Sequence, residues 1–161
     1  MRTEADVNQT IDLYGDMVRR ICLCHLKSPD DAEDVFQNTF LKYMLSEEAF
    51  ASEEHRKAWL IRVSINACKD HFRVLQRSRA VPLEDYLPEA AYFPEEIRDV
   101  LESVLSLPGK YRDVIYLHYY EGYSAYEISR ILKKKENTIY SLLSRGRNLL
   151  KKELGGDDLD K

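Results

Sequence analysis

Pro82, Pro88 and Pro94 crowd into the middle of the chain, and they are three of only five prolines in 161 residues. A proline inside a helix removes a backbone donor and clashes with the preceding turn, so no helix runs through this stretch. On both sides of it the apolar residues recur at steps of three and four, the period of a helix with one buried face. The chain is thereby divided into two helical halves. With 44% hydrophobic and 32% charged residues, few glycines and no strand-period segment, an all-α fold is predicted. It comprises two small helical domains, residues 1–79 and 95–154, joined by an acidic proline-containing linker at 80–94 and followed by a tail at 155–161.

In the first half, Val7, Ile11, Tyr14, Val18, Ile21 and His25 place one amphipathic helix over about 5–26. Ser28 and Pro29 supply an N-cap and a first-turn proline for the next, and Asp31 stands where the acid of a capping box would. That helix runs to about residue 44. It turns Ala32, Val35, Phe36, Phe40, Tyr43 and Met44 inward and Asp34, Gln37, Asn38 and Leu41 outward. Residues 46–55 lose the period. It returns over about 54–78, with Trp59, Leu60, Val63, Ala67 and Phe72 on or near the buried face, where Trp59 reads as a core anchor rather than a base-stacking platform.

The second half predicts helices over about 95–105 and 111–120, separated by a Pro108–Gly109 turn. Gly122 ends the latter, and the Ser124–Glu127 pair forms a capping box for a short helix through Leu132. A last helix over about 137–154 buries Ile139, Leu142, Leu143, Leu149 and Leu150. Two short helices joined tightly, the second rich in polar and basic residues, match a helix-turn-helix unit. Tyr116, Tyr119, Tyr120, Tyr123 and Tyr126 read mainly as packing residues.

The formal net charge of −4 by itself argues against a nucleic-acid partner. The average conceals segregation. Arg56, Lys57, Arg62, Lys69, Arg73, Arg77 and Arg79 are opposed by Asp70 alone. A second basic block holds Arg130, Lys133, Lys134, Lys135, Arg145, Arg147, Lys151 and Lys152 against Glu136 and Glu153. Two cationic faces with acids between them suit two contacts with one polyanion.

No run of eighteen apolar residues is present and the first residues include Arg2, Glu4 and Asp6, which argues against membrane insertion and a secretory signal. Three cysteines cannot all pair within the chain, which suits a reducing cytoplasm. Cys22 with His25 and Cys68 with His71, each three apart on a predicted helix, make a two-helix zinc site conceivable, but buried free cysteines are the commoner explanation. There is no phosphate-cradling glycine loop and no nucleophile elbow, so no catalytic residue, metal or cofactor is expected.

Residues 107–154 resemble sigma region four of the sigma-70 family through Leu107-Pro108, Tyr111-Arg112, Val114, Tyr119-Tyr120-Glu121-Gly122, Glu127-Ile128, Leu132, Thr138, Ser141, Leu143, Arg145 and Arg147. Residues 31–43 resemble the part of sigma region two that binds the polymerase clamp helices. Residues 56–73 resemble its promoter-melting helix, through Arg56, Ala58-Trp59-Leu60, Arg62, Asn66, Asp70 and Arg73. The matches occur in family order, with no room for the extra domains of larger members, which places the chain with the extracytoplasmic-function (ECF) group.

The resemblance implies a sigma factor, with core RNA polymerase and promoter DNA as partners and, as is common in the family, an anti-sigma factor. It assigns core binding to Asp34, Gln37, Asn38 and Leu41, and the minus-ten element to Arg56, Arg62, Asn66, Lys69 and Arg73. The 46–55 loop would capture a flipped non-template base. The minus-thirty-five element falls to Asn137, Thr138, Tyr140, Ser141, Ser144, Arg145, Arg147 and Lys151. The chain departs from the family at Lys135, where a small capping residue is usual, and at Tyr140 and Leu142, often basic; Asn137 is then expected to take over the cap. A less cationic helix implies an unusual minus-thirty-five sequence or weaker reliance on that element. A stand-alone helix-turn-helix regulator would leave residues 31–43 without a purpose, and a sigma mimic that only sequesters an anti-sigma factor would leave the basic faces unexplained.

Overall fold

The structure, a computed structural model, describes residues 1–26, 28–78, 95–98 and 100–154. The expected linker and tail lie outside the described residues. Eight helices are present among the described residues, with no strand: α1 (Glu4–His25), α2 (Pro29–Leu45), α3 (Glu53–Ser78), α4 (Glu95–Arg98), α5 (Leu101–Ser106), α6 (Gly109–Tyr119), α7 (Ala125–Leu132) and α8 (Glu136–Leu154). They belong to two compact units, Met1–Tyr92 and Phe93–Lys161.

In the first unit α1, α2 and α3 pack pairwise against one another. Val18, Ile21, Cys22, Val35, Phe40, Tyr43, Leu60, Ile61 and Cys68 close the core, each large aliphatic side chain contributing roughly 1.5–3 kcal/mol by leaving water. The helix starts follow local chemistry. The Thr3 hydroxyl accepts from Asp6 N and the Ser28 hydroxyl from Asp31 N, with Pro29 in the first turn of α2. The Asp31 carboxylate does not complete a capping box: it lies 3.2 Å from His71 Nε2 on α3, within ion-pair distance though without hydrogen-bond alignment.

On α3 the buried stripe is Leu60, Ile61, Ser64, Ile65, Ala67 and Cys68, and it stops short of Phe72, which is 37% exposed. Phe72, expected on or near the buried face, is thus placed at its exposed margin, and helix length gives the reason. At 1.5 Å per residue α3 spans about 39 Å against about 33 Å for α1 and about 26 Å for α2, so its last turns outrun its partners. Trp59 and Val63 are half-buried at the edge of the stripe.

In the second unit α6, α7 and α8 pack together, with α5 against α6 and α8. The single helix expected over 95–105 is split into α4 and α5, and α6 begins at Gly109, with Tyr111 N and Arg112 N both donating to Pro108 O at 3.0 Å. The Pro108–Gly109 pair is therefore the start of α6 and not a free turn. Gly122, at φ +78°, reverses the chain after α6, where Tyr123 N reaches back to Leu117 O at 3.0 Å. A side chain there would be forced into the left-handed region.

α8 buries Ile139, Leu142, Leu143, Gly146 and Leu150. Leu149 is corrected to the margin, 37% exposed, because Gly146 and Leu150 carry the stripe onward by a step of four. Tyr116 and Tyr123 are buried as expected, but Tyr119 and Tyr126 are exposed and pair through their hydroxyls with Arg147 and Arg130.

Candidate polymerase and promoter interfaces

Three surfaces collect the candidate residues. On α2, Asp34, Gln37, Asn38 and Leu41 follow one another at steps of three, one and three, so they form one stripe, and all four are exposed. The stripe lies opposite Val35, Phe36, Thr39, Phe40 and Tyr43, which are buried. Leu41 leaves 47% of its surface to solvent beside three polar neighbours. One edge is held in place. Gln37 Nε2 donates to Glu33 Oε1 at 3.4 Å, Glu33 pairs with Arg19, and the Arg19 guanidinium lies 4.1 Å over the Phe36 ring.

On α3, Arg62, Asn66, Lys69 and Arg73 recur at steps of four, three and four and share one face. Asn66 and Arg73 are exposed, while Arg62 and Lys69 are half-buried. Arg73 also reaches Asp70, at 3.3 Å. Arg56 is not brought together with these four. Six residues before Arg62, it stands about 120° round the helix from their stripe. Its guanidinium is engaged by Glu53 at 3.4 Å and Asp6 at 3.9 Å.

Arg56 belongs instead to a cluster around the loop 46–52 that the sequence pattern did not reveal. Phe50 packs against Tyr43, Trp59 and His55, with ring centroids 6.1, 5.8 and 5.1 Å apart. The Tyr43 hydroxyl donates to Asp6 Oδ1 at 2.7 Å and accepts from Thr10 Oγ1 at 3.1 Å. Burial pushes the Tyr43 phenol above its usual pKa, so it stays a neutral donor. Arg2 lies over the Tyr43 and Phe50 rings, 4.4 and 4.9 Å from their centroids. The one local signal was Phe50, a large apolar residue in a stretch otherwise without pattern.

The third surface is the pair α7–α8. The capping box of α7 is complete: Glu127 N donates to the Ser124 hydroxyl at 3.1 Å and Ser124 N to Glu127 Oε1 at 2.9 Å. Lys133 closes α7 in the left-handed region, φ 55° and ψ 48°, and Lys134 N donates to Ser129 O at 2.9 Å. The α8 cap is corrected. Ile139 N donates to Lys135 O at 3.2 Å, which makes Lys135 the capping residue and puts Asn137 inside the first turn.

On α8, Asn137, Ser141 and Ser144 form the stripe directly opposite the core, flanked by Thr138 and Arg145 on one side and by Tyr140, Arg147 and Lys151 on the other. The first five of these and Tyr140 are exposed, Tyr140 by 56%, while Arg147 and Lys151 are half-buried. Arg147 donates to the Tyr119 hydroxyl at 3.1 Å.

Among the described residues no group of three or more His, Cys, Asp and Glu is placed to hold a metal ion. No described helix is long and apolar enough to cross a membrane.

Residues 10–78 match the family model "Sigma-70 region 2" and residues 97–150 match "Sigma-70, region 4". The ECF RNA polymerase sigma factor SigW of Bacillus subtilis is 28% identical, over 89% of this chain and 86% of its own. SigM of the same organism is 29% identical, over 90% and 93%. Among solved structures, the sigma factor RpoE of Bartonella quintana in complex with the anti-sigma factor NepR superposes with a TM-score of 0.76 at 27% identity, covering 94% of this chain and 98% of that one. CnrH, solved with the cytosolic domain of CnrY, shares the fold with a TM-score of 0.70, at 21% identity, 97% of this chain and 92% of that one. With region two and region four both matched, in that order along one all-helical chain, the protein belongs to the sigma-70 family of RNA polymerase sigma factors, in its ECF group.

Proposed function

We propose that this sigma factor docks on core RNA polymerase through Asp34, Gln37, Asn38 and Leu41, opens and holds the minus-ten element with Arg62, Asn66, Lys69, Arg73 and the 46–52 loop, and reads the minus-thirty-five element with α8. Arg56 serves the minus-ten site from the loop side. The observation that carries this reading is the coexistence of two separate open faces: an α8 stripe free on the side away from its core, and an α2 stripe with a half-exposed leucine among polar residues. A stand-alone helix-turn-helix regulator needs only the first.

Asn137, Thr138, Tyr140, Ser141 and Ser144 lie toward the N-terminal part of α8, where a helix in the major groove meets base edges. Arg145 follows with the longest reach, and Arg147 and Lys151 face phosphate. In the open complex an unstacked non-template base would enter the loop, since unstacking costs a few kcal/mol and has to be offset by pocket contacts. Polymerase supplies the chemistry, so the chain itself is not an enzyme, and it works in the cytoplasm. An anti-sigma factor is a further partner, supported by RpoE of Bartonella quintana, which was solved in complex with the anti-sigma factor NepR.

Run-off transcription with purified core polymerase tests the reading. Promoter-dependent transcripts that require the chain are expected. Tight operator binding without polymerase would favour the regulator, and capture of an anti-sigma factor with no transcription would favour the mimic.

A further inference from the structure

The last carbonyls of a helix have no partner within it, and a cation near them is favoured by the helix dipole. At the end of α2 both needs are met by one residue that lies outside the expected site. Arg2 N donates to Met44 O at 2.9 Å and Arg2 Nε to Tyr43 O at 3.0 Å. A terminal nitrogen of the same guanidinium donates to Glu48 O, in the middle of the 46–52 loop, at 2.6 Å. The plane lies over the Tyr43 and Phe50 rings, and Asp6 approaches the other terminal nitrogen at 3.7 Å. The side chain is only 15% exposed.

The two ends of the loop are secured by their own neighbours: Glu48 N donates to the Ser46 hydroxyl at 3.0 Å, and Ala51 N to His55 Nδ1 at 3.1 Å. Arg2, in the segment just before α1, adds the cross-brace to the loop's centre. A planar guanidinium with its donors in a fixed fork suits this task, because it can serve two carbonyls and cover a ring at once, which an ammonium cannot. The exposed residues Glu47, Glu48, Ala49 and Ala51 are thus carried on a backbone already set before DNA arrives. A binding loop ordered in advance does not lose that conformational freedom on binding.

We infer that Arg2 is a positioning residue for base capture: its fork holds the 46–52 loop in the shape that receives the unstacked non-template base of the minus-ten element. This rests on the loop being the base-receiving site, as proposed above. Arg2 itself touches no base.

The test uses holoenzyme assembled from the full chain and promoter templates with a pre-opened minus-ten bubble, so that melting is not measured. Single abasic sites are scanned along the non-template strand, and open-complex lifetime is recorded for wild type, Arg2→Ala and Arg2→Lys. In wild type one abasic position is expected to shorten the lifetime about tenfold, as for loss of one well-stacked base. Arg2→Ala should show about the same loss on the intact bubble and almost no further loss at that position, since contacts acting as one unit are non-additive.

Losses that multiply would mean that Arg2 acts elsewhere, and the inference falls while the loop reading stands. If no abasic position matters in wild type, the loop reading falls and takes the inference with it. Arg2→Lys keeps charge and stem, so it guards against a folding defect in the alanine variant. It should show the same non-additive loss, and a lysine holoenzyme indistinguishable from wild type would overturn the assignment to the fork.

Discussion

A Cβ added to Gly146 would stand 3.0 Å from Cγ1 of Ile115 and 3.2 Å from its Cδ1, so α8 lies on α6 so closely that a methyl group there requires Ile115 to give by a few tenths of an ångström. Ile115 is 1% exposed, and the Tyr111 Cβ is a further 3.4 Å neighbour, so neither helix can yield easily. Alanine would gain about 1 kcal/mol in helix propensity and lose about 1–3 kcal/mol to overpacking. Gly146→Ala should therefore cost about 1 kcal/mol net, and Gly146→Val clearly more, in urea unfolding followed by circular dichroism.

Lys133 holds a backbone conformation that costs a residue with a Cβ about 1–2 kcal/mol. Lys133→Gly should relieve this and, after the greater freedom of glycine in the unfolded chain is deducted, raise stability by up to about 1 kcal/mol. Lys133→Val should lower it, because a β-branched side chain is an outlier there. Thermal melts of the three proteins rank them, and a glycine variant less stable than wild type would show that the lysine side chain contributes more than its backbone costs.

Which parts of this were legible beforehand depended on how far apart the partners lie in the chain. The Ser124–Glu127 box and the Ser28–Pro29 start each lie within four consecutive residues and are fully written in local sequence. The two-unit helical layout followed from period and proline. By contrast, Arg2 with Glu48, Tyr43 with Asp6 and Gly146 with Ile115 are partners only because particular helices pack, and periodicity is silent about that. Phe72 and Leu149 fit the period yet lie at the margin: the α3 stripe stops short of Phe72, and on α8 Gly146 and Leu150 carry the stripe past one side of Leu149. The stripes on α2, α3 and α8 could be drawn from spacing alone, and spacing also sets Arg56 off from Arg62, but its partners Asp6 and Phe50 could not be named without the packing of α1 and the loop.

For core binding, the α2 stripe makes a sharp test because its members are exposed and replaceable without disturbing the core. Asp34→Arg combined with Gln37→Ala reverses one charge and removes one donor. Loss of a paired charge at an interface costs about 2–5 kcal/mol, so holoenzyme formation should fall at least thirtyfold, roughly the lower end of that range. Native gel shift with core polymerase measures it, with the unchanged thermal melt as the folding control. Undiminished binding would remove this stripe from the interface.

The pH response of α1 follows from Tyr14, whose hydroxyl donates to Glu53 Oε2 at 2.7 Å. Burial first, and then the hydrogen bond and charge of Glu53, push its pKa up to about 12 from 10.0. A folded pKa above the unfolded value means that the contribution is complete below pH 10 and is lost as pH rises towards 12. No change from this contact is expected between pH 6 and 9. Tyr14→Phe should leave neutral-pH stability little altered and make its decline between pH 10 and 12 shallower, in melts at matched ionic strength. A steeper decline for the phenylalanine variant would contradict the sign.

The last prediction separates reading from gripping on α8. Arg145 and Tyr140 flank the open stripe from opposite sides and have the length to reach base edges, while Lys151 lies nearly two turns beyond Arg145 on the Tyr140 flank. Contacts to base edges carry sequence preference, and contacts to phosphate carry affinity without it. Arg145→Ala or Tyr140→Ala should therefore relax discrimination at one minus-thirty-five base pair, by roughly 1–3 kcal/mol where the lost contact is bidentate. Lys151→Ala should weaken all promoters alike and reduce the slope of log affinity against log salt by about 0.9, the value for one phosphate. The measurement is holoenzyme affinity for a panel of minus-thirty-five variants at two salt concentrations. Because Tyr140 carries no charge, its alanine variant should leave the salt slope as in wild type, whereas Arg145→Ala should change the slope only if Arg145 also meets phosphate. Sequence preference shifted by Lys151→Ala, with uniform loss from Arg145→Ala and Tyr140→Ala, would mean that α8 enters the groove in the opposite sense, its C-terminal turns against the bases.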